Sequence, residues 1–169
     1  MAGLAPLRRR ARRFVLALRA RVEPGEVEAL SAYLTPAQVR LFSTMQSADQ
    51  RHSLEVFGRL LREGHRDPDL LQAALLHDVG KARARLRVWH RVLVDLGQTF
   101  WPSAPRWLAA HGPAALRWPL EVGLRHPELG AEDARSAGCS DRAVALIRGD
   151  HGADLARLAA VLWRADTEA

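Results

Sequence analysis

Leu75-Leu76-His77-Asp78-Val79-Gly80-Lys81 is the stretch on which the fold reading turns. An apolar run ends there in a neighbouring histidine and aspartate, with a glycine and a lysine within three residues. Upstream, Asp67-Pro68 reads as a helix cap followed by a proline at the first helical position. Leu70, Leu71, Ala74 and Leu75 follow as an apolar stripe that faces a core. An ionisable pair at the end of such a stripe is costly unless something compensates it, and a bound cation would. The plainer alternative is a partly buried His–Asp hydrogen-bonded pair with Gly80 as the helix C-cap.

The chain has 169 residues, ample for one domain with a core and short for two. Leucine, alanine and arginine dominate, and no stretch alternates with period two, so the expected class is all-α. A single cysteine, Cys139, excludes an internal disulfide and a cysteine-rich zinc site, and makes a reducing compartment the default.

Charge is unevenly placed. Residues 1–24 hold seven arginines, five of them between Arg8 and Arg13, against one acid, Glu23. The whole chain is +6, so the remainder is balanced and the excess belongs to an N-terminal arm. That arm can contact a membrane surface or nucleic acid, or form a solvated basic helix over 4–21. The run from Phe14 to Leu18 is too short for a signal-peptide core, and no run is long enough to span a bilayer. The expected location is cytoplasmic, with peripheral membrane contact left open.

Further along, Pro24-Gly25 is read as ending the basic helix, with a short helix over 26–34. Thr35-Pro36 opens the next, and Ser47 with Gln50 resembles a capping box that breaks it. A helix over 49–63 carries His52, and Gly64 ends it. Residues 86–118 hold four of the five tryptophans, divided by prolines. Leu86, Trp89, Leu93, Leu96 and Phe100 give an amphipathic helix over 85–100, which suits either ordinary core or a lid. His126-Pro127 is read as opening a helix to residue 137, Ser140 as capping the next, and the last helix as running over 154–167.

Four histidines and two aspartates stand at the ends or inner faces of these helices: His52, His77, Asp78, His126, His151 and Asp166. Each singly has a dull explanation. Their order resembles the HD superfamily of metal-dependent phosphohydrolases, all-helical domains with the pattern H…HD…D, to which a two-metal subgroup adds two histidines. His77-Asp78 stands in the family's His-Asp-x-Gly-Lys form, and His52 lies 25 residues upstream. His126-Pro127-Glu128-Leu129-Gly130 looks like the helix start that holds the fifth ligand, His151 like the sixth, and Asp166 like the terminal aspartate.

The resemblance runs from about residue 48 to 166 and implies an HD-domain helical bundle, taken as the domain over 25–169, while the basic N-terminal helix and the Trp-rich helical insertion over 86–118 are read from the residues themselves. It implies one or two divalent transition metals (Mn, Fe, Co, Ni or Zn, Mn or Fe favoured), since imidazole and carboxylate suit all of them. Asp78 would bridge, His52, His77 and Asp166 would complete one metal, and His126 and His151 the other. A metal-activated hydroxide would then attack a small phosphorylated substrate, with Lys81 helping to neutralise the phosphoryl oxygens. Lys81 is the only lysine in a chain otherwise basic through arginine, which suggests a site that wants a compact ammonium.

Departures narrow the reading. No Gly-Tyr-Pro motif occurs and Asp150-His151-Gly152 has one histidine, so a cyclic dinucleotide is not the expected substrate. His65, His90 and His111 match no family position. The rival readings are a mixed-valence di-iron HD oxygenase, and a non-catalytic HD module that docks on a membrane surface or nucleic acid.

Overall fold

The computed structural model describes residues 21–84, 104–149 and 152–169, and every regular element among them is helical. The basic helix over 4–21, the amphipathic helix over 85–100 with His90, and His151 lie outside the described residues apart from Arg21.

The first helix, α1 (Pro24–Ala29), continues as a 3-10 turn, Leu30–Ala32. Pro24 opens this helix instead of closing the previous one. It needs no N–H at the first position, and the Glu26 carboxylate accepts from the Glu23 N–H at 3.0 Å. In α2 (Pro36–Ser43) the Thr35 hydroxyl and Gln38 amide cap each other's backbone N–H, as Thr35-Pro36 predicts. The break before α3 (Ser47–Arg62) falls where expected but by other means. Gln46 is the cap residue, and Gln50 donates to the Phe42 carbonyl at 3.3 Å instead of closing a box with Ser47. Gly64 ends α3 in the left-handed region at φ 88°.

Asp67 caps α4 (Pro68–Leu76) by accepting from the N–H groups of Asp69 and Leu70. Its stripe is the centre of the core: Leu70, Leu75 and Leu76 are wholly buried with Phe42, Val56 and Leu60. A second 3-10 turn, Val79–Arg83, follows directly. After α5 (Ala104–His111) comes α6 (Ala114–Ser136), the longest helix described. It corrects the helix start expected at His126-Pro127: the helix passes straight through Pro119 and Pro127, and His126 lies in its interior. Ser140 caps α7 (Asp141–Arg148) by accepting from Ala143 N–H, and Gly149 ends it at φ 75°. The last helix, α8 (Ala156–Glu168), packs on α3 and α4.

No helix among the described residues is long and apolar enough to cross a membrane. Trp107, Trp118 and Trp163 are exposed.

Candidate metal centre

The site forms where α4 ends. Beyond Leu76 the helix leaves carbonyls without backbone partners, and His77 takes one with its own ring: Nδ1 lies 3.0 Å from the Ala74 oxygen. That places the proton on Nδ1 and turns Nε2 inward. Nε2 is buried without a hydrogen-bond partner, 3.6 Å from Asp166 Oδ1 and 3.7 Å from Asp78 Oδ1. Those separations are too long for hydrogen bonds and too close for a bare lone pair to face carboxylate oxygens without a cation. A proton or a metal ion is what such an arrangement takes.

Helix α3 supplies His52 and α8 supplies Asp166, which meet at 2.7 Å between Nε2 and Oδ1. The His52 and His77 rings approach edge to face, with centroids 5.4 Å apart. One ligand atom from each of His52, His77 and Asp166 lies within 4.8 Å of the others. Metal–ligand bonds of about 2.0–2.2 Å require only small adjustments of such a set.

Asp78 lies on the floor of the site, 4% exposed. Lys81 Nζ is 2.7 Å from each of its oxygens, and His126 Nε2 is 3.6 Å from Oδ1. The other ring nitrogen of His126 is also fixed by a freed carbonyl. Pro127 has no N–H to give to the Gly123 oxygen four residues back, and His126 Nδ1 stands 2.9 Å from that oxygen instead. Both histidines thus present Nε2 through the same device, a ring hydrogen bond to backbone that selects the tautomer.

Gly80 is not the C-cap of α4. It sits inside the 3-10 turn, and a Cβ there would lie 2.1 Å from the His126 oxygen and 2.6 Å from the Gly130 nitrogen. Gly130 mirrors it, with its own Cβ position 3.1 Å from Gly80 N. The two glycines let the turn that carries Asp78 and Lys81 lie against the backbone of α6. Arg83 fastens the same contact, with paired bonds to Asp133 at 2.7 and 3.0 Å and one to Glu132 at 3.1 Å. Motif reading passed over Arg83, and only its three-residue spacing from Gly80 hinted that it shares the turn.

The charges respond to one another. Burial works against ionising Asp78, yet Lys81, His77 and His126 hold it well below the usual carboxylate range. Burial likewise opposes ionisation of Asp166, which the His52 and His77 rings pull down further than burial raises it. His77 is pushed down by burial, but Asp78 and Asp166 overcome that and raise it. His126 goes the other way: burial, then the Lys81 ammonium, lower it.

The described geometry therefore brings together five of the six expected ligands, together with Lys81. His65 and His111 stand apart from them, paired with Glu63 and with the Trp107 carbonyl. No family model matches the chain, and neither the curated proteins nor the solved structures hold a match to it.

Proposed function

We propose that this chain is an HD-type, metal-dependent phosphohydrolase that cleaves a phosphate ester or anhydride of a nucleotide or another small phosphorylated metabolite. The observation that carries the proposal is the buried, unpartnered Nε2 of His77 set among His52, Asp166 and Asp78, with one ammonium, Lys81, beside them. His52, His77, Asp166 and Asp78 would hold one divalent ion, and Asp78 with His126 and His151 a second. The donor set suits Mn, Fe, Co, Ni or Zn, with Mn or Fe favoured. A cation held there would supply Lewis-acid charge and would lower the pKa of a water toward neutral.

The chain's own groups do the rest. Asp78, on the floor, fixes the position of the charge, while the half-open His52 and Asp166 leave the site reachable from solvent. Lys81 is partly exposed and can meet a phosphoryl oxygen as charge gathers there. Metal content per chain by mass spectrometry, with a screen of nucleotides and phosphodiesters after Mn or Fe loading, tests this. Bound metal and phosphate release support it. Oxygen-dependent turnover with retained iron would replace it by the oxygenase reading, and absence of metal after reconstitution would remove both.

The exposed Trp107 and Trp118, beside Arg106 and Arg117, favour one additional role, peripheral contact with an anionic surface through these residues and the Arg8–Arg13 arm. Sedimentation with anionic vesicles of the wild type and of Trp107→Ala/Trp118→Ala tests it. Equal binding by both would discard the tryptophans' part.

A further inference from the structure

Asp78 is the group on which two cations would have to meet, and a cation of the chain's own already lies on it. Lys81 follows Asp78 by three residues at the start of a 3-10 turn, and in that geometry side chains three apart lie one above the other. The ammonium is therefore delivered to the carboxylate by the backbone itself, 2.7 Å from both oxygens. His126 reaches the same carboxylate from α6, its Nε2 3.6 Å from Oδ1. Resting on the metal-dependent reading above, we infer that Lys81 competes with the second metal for Asp78, so that a second ion enters at Asp78 and His126 only when a phosphoryl group has drawn the ammonium away.

The chemistry supports an exchange of partners. A phosphoryl group brings more negative charge than one carboxylate, and Lys81 is the more exposed member of its pair, free to swing on a flexible stem. Once it turns to the phosphate, both Asp78 oxygens face His126 and His77 without a cation. The site then completes itself around substrate. Without substrate one metal would sit at His52, His77 and Asp166, and Asp78 would join it only once Lys81 has turned away.

Equilibrium dialysis against Mn, with metal counted per chain, tests this on the full-length wild type and on Lys81→Met and Lys81→Gln, each with and without inorganic phosphate. The wild type should bind one Mn tightly and a second weakly, with phosphate tightening the second about tenfold or more. Both variants should bind the second Mn tightly without phosphate and show no further gain from it. Lys81→Gln keeps a hydrogen-bond donor over the buried carboxylate, so the comparison survives if Lys81→Met folds poorly. A second site that is equally weak in wild type and variants, or a phosphate effect of the same size in all three, overturns the competition while leaving the metal reading intact. Failure of the wild type to bind even one Mn would instead overturn the metal reading, and this inference with it.

Discussion

The two halves of the candidate centre are built differently. In the half made by His52, His77 and Asp166, residues from three helices point their ligand atoms at one another, and one pair is already in contact. In the half made by Asp78 and His126, a lysine stands on the carboxylate, and the approach of the histidine depends on two glycines packed backbone to backbone. The first half is assembled by side chains on the packed core. The second depends on how closely a 3-10 turn can lie on α6. A site so divided should lose its two functions separately.

The largest effect should come from His77→Ala, because His77 Nε2 faces both Asp166 and Asp78. Metal should be lost from the chain altogether, whereas His126→Ala should remove at most the second ion; metal counting distinguishes them. Gly80→Ala should come next. Its Cβ collides with backbone, which cannot move as a flexible side chain would, so the cost should reach or exceed the roughly 1–3 kcal/mol typical of overpacking. Thermal melts should show lower stability, and metal counts in the presence of phosphate should show loss of the second ion ahead of the first.

Pro127→Ala sharpens the comparison because stability and binding should part company. A restored N–H can bond the Gly123 oxygen, which removes the penalty of an internal helical proline and competes with His126 Nδ1. The melting temperature should hold or rise while second-site metal affinity falls by up to about tenfold. Loss of both together would mean that Pro127 serves packing, not the histidine.

The smallest effect is on pH dependence in metal-depleted protein. His77 is raised above 6.5, so the stability it contributes is full below 6.5 and is lost as pH rises through its folded value. His126 is lowered, so stability is lost on the other side, as pH falls from 6.5 toward its folded value. Melting temperature should therefore peak near pH 6.5. His77→Gln should flatten the alkaline limb and His126→Gln the acid limb. Metal affinity should rise across the alkaline limb, since the ion displaces the His77 proton.

Much of this architecture was legible in the residues. Thr35-Pro36, Asp67-Pro68 and Ser140 cap helices in the structure because their signals are local: an oxygen within reach of N–H groups two or three residues on. The errors share a cause as well. Pro24 was read as a stop and opens a helix, and Pro127 was read near a helix start and lies mid-helix. Proline marks a missing N–H, and whether that begins, ends or merely perforates a helix depends on what packs around it. Gly80 as a cap belonged to the plainer alternative, since a glycine after a helix usually is one; its neighbour across the turn, Gly130, is fifty residues away.

By itself, then, the sequence determined an all-helical class, the N-terminal caps of three of the described helices, and which side chains are chemically fit to hold a cation. Those properties rest on periodicity and on contacts within a few residues. Tertiary structure alone decided that His52 touches Asp166 and that His126 reaches Asp78 from the middle of α6. Distances between elements are set by how closely backbones can pack. In this chain that is decided at the contact of Gly80 with Gly130, where neither side chain has a Cβ to keep the turn and the helix apart.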